Sequence, residues 1–185
     1  MFLDENTFAT VIASTPLIAI DLIVVNEKNE LLLGKRLNRP AKNFWFVPGG
    51  RILKNETLDN AFKRLTSTEL GKEIELKQAK LLGVFEHFYQ DSVFSEQAST
   101  HYVNTAHVLY INSDELASLP LDDQHDKYQW HAIDEVTSNP DIHHYTKAYL
   151  ITYESQSFYK NTDSTVMRHL GRDCRDPESK DGMIV

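Results

Sequence analysis

The chain has 185 residues, enough for one domain-sized hydrophobic core. Hydrophobic residues make up 41% of it and charged residues 25%, an ordinary globular composition that excludes wholesale disorder. The net charge of −8 argues against a general binder of nucleic-acid backbones, and no apolar run is long enough to span a membrane. A single cysteine excludes an internal disulfide and a cysteine-based zinc site. Because the N-terminus also lacks a signal-peptide pattern, we expect a cytoplasmic protein.

The first fifty residues predict a helix followed by strands. Asp4 is a suitable N-cap for a short helix that ends near Ile12. The continuous apolar run at Leu17–Val25 is typical of a strand buried on both faces, and Glu30–Arg36 follows a turn as its hairpin partner. Residues 43–47 predict a short aromatic strand that stops at a proline–glycine–glycine sequence.

The rest of the chain predicts two helices and three more strands. Apolar residues at helical spacing predict a helix at Leu58–Leu70, with Thr57 as N-cap and Gly71 as C-cap. The other predicted elements are strands at Lys80–Phe88, His101–Ile111 and Tyr128–Ala132 and a helix at Asp141–Glu154. This mixed order predicts an α/β or α+β fold, with one helix against each face of a mixed sheet. Because the composition shifts near residue 155, we divide the chain into a domain at 1–155 and a C-terminal extension of unknown role at 156–185.

The seven arginines are clustered in two regions, four before residue 65 and three near the end of the chain. In an acidic protein, such a cluster is suited to a small anionic ligand, because a guanidinium group can hold two phosphate oxygens. Ordinary surface ion pairs explain the same pattern and are favoured on arginine placement alone.

The glycine-rich loop and the helix after it carry the strongest chemical signal. Adjacent glycines let a ligand approach the backbone closely, and a carboxylate such as Glu69 can hold a hard cation such as Mg²⁺. Glu56 and Arg64 are placed to brace the loop onto the helix. The spacing of these residues resembles the Nudix box of the Nudix hydrolases: Gly50-x5-Glu56-x7-Arg64-x4-Glu69-x-Gly71.

Four positions depart from that motif. Leu65 and Thr68 stand where the box has glutamates, and Thr66 and Lys72 replace apolar residues. This pattern of loss resembles one subgroup of the family, the GDP-mannose mannosyl hydrolases. Further segments over residues 1–155 are similar to that subgroup in the same order: Thr15–Leu17, Leu32–Arg36, Asn38–Ala41, Trp45–Arg51, His87–Tyr89, Thr100–Val103 and Asp123–Asp126.

The resemblance implies a Nudix-type α/β/α sandwich around a mixed β-sheet. It implies one Mg²⁺ per active site, held by the backbone carbonyl of Gly49, by Glu69 and by the amide oxygen of Gln124. It also implies that water attacks the anomeric carbon of GDP-mannose, so that GDP leaves and the configuration inverts. His125 matches the general base, a role that suits histidine because its ordinary pKa is near 6.5.

The remaining site residues are also implied by the resemblance. Arg36, Arg51 and Tyr102 would stabilise the leaving diphosphate, whose negative charge grows as the C–O bond breaks. Asp21 and His87 would lie on the sugar side, with Asp21 also a candidate for catalysis. GDP-glucose is a possible second substrate, and the resemblance implies a homodimer.

Less specific interpretations stay open for several of these residues. Asp21 in an apolar strand could belong to a buried ion pair. His125 stands among aspartates and by itself is more typical of a solvated acidic loop. Tyr145, Tyr149 and Tyr153 are more typical of a core or a dimer surface than of a stacking platform. Two alternative functions also stay open: a nucleotide-sugar pyrophosphatase that cleaves the P–O–P linkage, and a catalytically silent nucleotide-sugar binding module.

Overall fold

The computed structural model describes residues 3–92, 99–116, 119–120 and 125–156, with only the backbone at 125 and 126. The helices are α1 (Glu5–Ser14), α2 (Leu58–Leu70), α3 (Ile133–Val136) and α4 (residues 144–156), with short 3₁₀ turns at Leu76–Gln78 and Ser113–Leu116. The strands are β1 (Leu17–Val25), β2 (Glu30–Arg36), β3 (Trp45–Phe46), β4 (Gly49–Arg51), β5 (Lys80–Tyr89), β6 (Thr100–Tyr110) and β7 (His125–Ala132).

The strands form one mixed sheet in the order β3-β2-β1-β6-β5, with β4 paired to β1 and β7 paired to β2. The pairing of β1 with β6 is parallel and the other pairings are antiparallel. One edge of β1 is shared, since β2 pairs with it at Val25 and β4 pairs with it at residues 19–21. β2 and β4 therefore lie beside different parts of the same edge of β1.

Helix α2 covers one face of the sheet. Thr57 caps its first turn by accepting a hydrogen bond from the backbone N–H of Asn60, and Gly71 ends it with a φ of 70°, which a glycine adopts without strain. Its apolar side, with Phe62 and Leu65, packs on the alternate residues of β1 that begin at Ile20. These contacts form the larger hydrophobic core.

Helix α4 packs against the opposite face. The side chains of Tyr149 and Leu150 are fully buried, and the Tyr149 ring meets Phe85 of β5 edge-on, with ring centroids 4.7 Å apart. A helix therefore lies on each face of a mixed sheet, which confirms the predicted fold class.

Most predicted elements are confirmed within one or two residues, including the capped helix at Leu58–Leu70. Four details are wrong, and the first is that the helix expected from Asp141 begins at residue 144. The glycine pair was expected to end a strand, but Gly49–Arg51 is itself a strand on β1. Helix α3 was not predicted, and β7 begins three residues earlier than expected, at His125.

The chain divides into two compact units, Met1–Ile151 and Thr152–Val185. Of the second unit, the structure describes only residues 152–156, so the expected extension at 156–185 lies almost wholly outside the described residues. None of the helices in the described ranges is both long and apolar enough to cross a membrane.

The loop before α2 is tied to that helix by one charged pair. Arg64 donates from Nε to Oε1 of Glu56 at 2.7 Å and from Nη2 to Oε2 at 2.8 Å, and Nη2 also donates to the carbonyl of Arg51 at 2.9 Å. Glu56 in turn accepts from the backbone N–H of Leu53 at 2.9 Å. The hydrogen bonds from Arg64 lower the pKa of Glu56 below its ordinary value.

We expect Glu56→Gln to lower the free energy of unfolding by about 1–3 kcal/mol at neutral pH, because it leaves charge-assisted hydrogen bonds unmade. Since the folded pKa of Glu56 is depressed, its contribution is present above the ordinary pKa of 4.5 and is lost as pH falls through the lowered value. Denaturant unfolding at pH values from 7 to 3 should show that the difference in free energy of unfolding between wild type and variant shrinks as pH falls. The control is Glu115→Gln, which alters an exposed pair with Lys72 and should have little effect. A difference in free energy of unfolding that stays constant over this pH range would contradict a stabilising role for the ionised Glu56 carboxylate.

Candidate active site

Strand register brings several of the predicted site residues together on one face of the sheet. Asp21 of β1 lies opposite Gly49 of β4, and Tyr102 of β6 lies opposite His87 of β5. Alternate residues of a strand point to the same face, so Asn104 joins Tyr102 on the face away from α2. An inner cavity there is lined by six of the predicted residues: Asp21, Arg36, Gly49, Arg51, His87 and Tyr102.

A second, outer cavity adjoins the first. Its walls include Phe8 and Ile12 of α1, together with Asn38, Arg39 and Thr100. The residues shared with the inner cavity are Arg36, Pro40, Arg51 and Tyr102. Two guanidinium groups therefore stand at the junction of the two cavities.

Each arginine is held in place by a neighbouring group. Arg36 donates from Nε to the carbonyl of Pro40 at 2.9 Å. The guanidinium of Arg51 lies over the Phe8 ring, 3.8 Å from its centroid. Burial raises the pKa of the nearby Tyr102 hydroxyl, which therefore stays protonated and able to donate a hydrogen bond. The junction thus offers positive charge and a hydroxyl donor, which suits phosphate oxygens.

Asp21 is the central acidic group of the inner cavity. It is 7% exposed, and burial raises its pKa to about 6, while Tyr149 and Arg36 act in the opposite direction. Its Oδ2 accepts a short hydrogen bond from the Tyr149 hydroxyl. The alternative of a buried ion pair is not what the described contacts show, because the hydrogen-bond donor to Asp21 is a tyrosine.

Gly49 lies against Asp21 without room for a side chain. A β-carbon at position 49 would collide with the carbonyl oxygen of Ile20 and would stand 2.6 Å from Oδ1 of Asp21. Glycine is therefore required here by close approach rather than by backbone conformation.

Glu69 lies on α2 and is not part of the wall of either cavity. It is 1% exposed, and the Tyr128 hydroxyl donates to its Oε2 at 3.0 Å. A β-carbon on Gly50 would lie 2.7 Å from Leu65, which stands one helical turn before Glu69 and therefore on the same side of α2. The glycine-rich strand thus packs along the face of α2 that carries this carboxylate.

Two of the three predicted metal ligands, Gly49 and Glu69, lie within the described residues. Gly49 supplies a carbonyl oxygen and Glu69 a carboxylate, and oxygen donors of this kind fit a hard cation such as Mg²⁺. Gln124 and the side chain of His125 lie outside the described residues. Within the described ranges, the structure holds no group of three or more His, Cys, Asp or Glu side chains arranged to hold a metal.

Sequence reasoning missed several residues of this site. Tyr89 and Asn104 line the inner cavity, Tyr149 contacts Asp21, and Tyr128 contacts Glu69. The alternation of polar residues along β6 could have suggested Asn104. The helical spacing that marks Tyr149 as buried gives no information on its partner.

We expect Gly49→Ala to lower the free energy of unfolding by about 1–3 kcal/mol, the usual cost of forcing atoms into a closely packed site. The control is Gly83→Ala, whose β-carbon would meet the movable ring of Phe85 at 3.2 Å and should cost less. Denaturant unfolding measures both. Equal effects of the two substitutions would show that the contact of Gly49 with Asp21 is not a tight constraint.

Comparison with known proteins identifies the family of this chain. The NUDIX domain matches residues 15–152. The chain is 39% identical over 121 residues to the low-salt glycan biosynthesis protein Agl8 of Haloferax volcanii, covering 65% of this chain and 74% of that protein.

Solved structures agree with this match. The MutT protein of Methanosarcina mazei is similar with a TM-score of 0.62 and 17% identity, covering 78% of this chain and 97% of that one. The NUDIX domain of Shewanella oneidensis NrtR, complexed with ADP ribose, is similar with a TM-score of 0.58 and 13% identity. The match covers 83% of this chain and 99% of that one. At such identities these two structures show the fold alone.

Nudix hydrolases generally use divalent metal ions, usually Mg²⁺, in keeping with the oxygen donors of Gly49 and Glu69. The family supports a hydrolase that acts on nucleotide derivatives. Since the domain match covers most of the chain, from residue 15 to residue 152, the protein belongs to the Nudix family.

Proposed function

We propose that this protein hydrolyses GDP-mannose to GDP and mannose with the help of one Mg²⁺. The observation that carries the proposal is the position of Arg36 and Arg51 at the junction of two cavities. A nucleoside diphosphate sugar has the matching layout, with a dianionic diphosphate between two uncharged ends. A nucleoside diphosphate sugar thus suits both the positive junction and the two cavities.

The two cavities differ in the chemistry they offer. The inner one has Asp21, Asn104 and Tyr89, groups that form hydrogen bonds with sugar hydroxyls. The outer one has the apolar Phe8 and Ile12, which suit a nucleoside. The NrtR domain, a fold neighbour, was solved with ADP ribose, a ligand of the same general layout.

In this proposal the bond that breaks joins the anomeric carbon to the diphosphate oxygen. Positive character develops on the sugar and negative charge on the departing GDP. Arg36, Arg51 and the Tyr102 hydroxyl face that growing charge and stabilise it, so a strong general acid is not required. Gly49, Glu69 and Gln124 would hold Mg²⁺, which when bound neutralises diphosphate charge. His125 takes a proton from the attacking water, and the configuration at the anomeric carbon inverts.

A nucleotide-sugar pyrophosphatase that cleaves the P–O–P linkage is the second candidate. It is favoured by the family itself, whose fold suggests pyrophosphate hydrolysis of nucleotide derivatives. Leu65 argues against it, because this residue is 3% exposed in the core at a position where the motif has a glutamate. A silent binding module is the third candidate and is disfavoured by the retained Glu69, Gln124 and His125.

Product analysis separates these three functions. The purified protein is incubated with GDP-mannose and Mg²⁺, and the products are identified by chromatography and by NMR of the released sugar. GDP with mannose supports the proposal, and the first sugar anomer formed reports whether the configuration inverts. GMP with mannose 1-phosphate supports the pyrophosphatase, and binding without turnover supports the silent module. GDP-glucose is assayed in parallel as the possible second substrate, and sedimentation equilibrium tests the homodimer implied by the resemblance.

Glu69→Gln should lower kcat by orders of magnitude and raise the Mg²⁺ concentration needed for half-maximal rate. The amide keeps the shape and can still accept from Tyr128, but it lacks the charge that a hard cation requires. Magnesium titrations of the rate measure this effect. Glu73→Gln, an exposed carboxylate just beyond α2, is the control and should behave as wild type. Normal turnover by Glu69→Gln at low Mg²⁺ would remove Glu69 from the metal site.

His125→Gln should lower kcat by about 10²–10⁴-fold, the range typical of general-base catalysis. The imidazole of His125 must be neutral to accept a proton, so the wild-type rate should rise with pH and then level off, and the variant should lose that rise. Inhibition by GDP should be nearly unchanged, because His125 is assigned to the water. His101→Gln, at the second residue of β6 where the ring stacks on Phe88, is the control. If the His125→Gln enzyme keeps both its rate and the rise of that rate with pH, another residue is the general base. Asp21 is then the next candidate.

A further inference from the structure

Two tyrosines of α4, one helical turn apart, hold His87 from two sides. The Tyr145 ring stacks on the His87 ring with centroids 3.8 Å apart and planes 9° from parallel. The Tyr149 hydroxyl lies 3.1 Å from Nε2 of His87 and is also bonded to Oδ2 of Asp21. On the other side of the ring, Nδ1 of His87 lies 2.6 Å from Nδ2 of Asn104. Four side chains from β1, β5, β6 and α4 thus form one chain of hydrogen bonds.

The chemistry of the groups fixes the direction of every bond in this chain. The amide nitrogen of Asn104 only donates, so Nδ1 of His87 accepts and the ring proton sits on Nε2. Burial, with His143 and His144 nearby, lowers the pKa of His87 to about 3, so the ring is neutral and carries that single proton. Nε2–H therefore donates to the Tyr149 oxygen. The one Tyr149 proton is then donated to Asp21.

This arrangement leaves Asp21 with one oxygen engaged and one directed elsewhere. Oδ2 receives the Tyr149 proton, while Oδ1 lies beside Gly49 at the wall of the inner cavity. Because Tyr149 is fully buried against Phe85, its hydroxyl cannot follow a rotation of the carboxylate. The inner cavity thus presents an oriented acceptor, and a ligand group that meets it has to be a donor, such as a sugar hydroxyl.

We propose that Tyr149 is a positioning residue that sets the affinity of the inner cavity for a sugar, by fixing the Asp21 carboxylate through its hydroxyl. This inference rests on the proposed function, since it takes the sugar of the nucleotide sugar to occupy that cavity. It assigns no proton transfer to Tyr149. A purely structural role would require the buried ring but not the hydroxyl.

Tyr149→Phe separates the two roles, because it keeps the ring and removes the hydroxyl. We expect kcat/KM for GDP-mannose to fall by about 10- to 100-fold, the range for a lost hydrogen bond to a charged group. The inhibition constant of GDP, which lacks the sugar, should stay within about twofold. The control is Thr66→Val in α2, on the other face of the sheet, which removes a buried hydroxyl that accepts from the backbone N–H of Ile74. It should leave both constants unchanged.

The dependence on Asp21 is tested by a double-mutant cycle. If Tyr149 acts through Asp21, the effects of Asp21→Asn and Tyr149→Phe on kcat/KM will not add. Independent effects that multiply, or equal losses of GDP-mannose turnover and GDP inhibition in Tyr149→Phe, would overturn the proposal. If the wild type does not use GDP-mannose, the proposed function and this inference both fail. If the wild type does and Tyr149→Phe is unchanged, only this inference fails.

A spectroscopic measurement on the wild-type protein needs no variant to fold. Histidine labelled with ¹⁵N reports its tautomer through the shifts of the two ring nitrogens. The chain of bonds requires the Nε2–H form of neutral His87. Observation of the Nδ1–H form, or of a protonated ring at neutral pH, would overturn the bond directions and with them the proposal.

Discussion

A carboxylate buried in the middle of an apolar strand is the constraint on which this site depends. Transfer of Asp21 from water into the sheet disfavours its charged form, and its pKa is raised accordingly. The strand nevertheless keeps the residue, and the surroundings supply what it needs: a hydroxyl donor from α4, Arg36 within electrostatic range, and a glycine where any side chain would collide. These three requirements are met by three different elements, so they tie α4, β2 and β4 to one position on β1.

The glycine pair connects the cavity to the core. Neighbouring residues of a strand point to opposite faces, so Gly49 faces Asp21 while Gly50 faces Leu65 of α2. A β-carbon on Gly49 would collide with the Ile20 carbonyl oxygen and Asp21, whereas one on Gly50 would collide with the Leu65 side chain. Leu65 thereby replaces a charged residue of the common motif with an apolar contact that seats the strand on α2. The bonds from Arg64 to Glu56 and to the Arg51 carbonyl then hold the end of this strand against the same helix.

The elements that sequence predicts well are those whose signals are local. Helix α2 has its N-cap, its apolar spacing and its terminal glycine within the fifteen residues from Thr57 to Gly71, and its bounds are confirmed. Strand β4 was missed because two glycines after a proline are typical of a turn, and only pairing with β1 makes them a strand. Six of the predicted site residues line one cavity, yet this convergence follows from strand register, which residue spacing does not encode. The partner of Tyr149 lies 128 positions away in the chain, and no periodicity in α4 could indicate it.

The distribution of charge across the two cavities bears on which bond of the substrate breaks. Arg36 and Arg51 line both cavities, and in the proposed reaction their attraction to the leaving diphosphate strengthens as its charge grows. Deeper in the inner cavity, the Asp21 carboxylate lies near a His87 that burial keeps neutral, so the His87 ring adds no positive charge there. An oxocarbenium-like centre at the sugar is stabilised by a nearby anion and opposed by a nearby cation. In the proposed reaction, negative charge at the sugar end and positive charge at the diphosphate end would favour separation of charge across the C–O bond over attack at phosphorus.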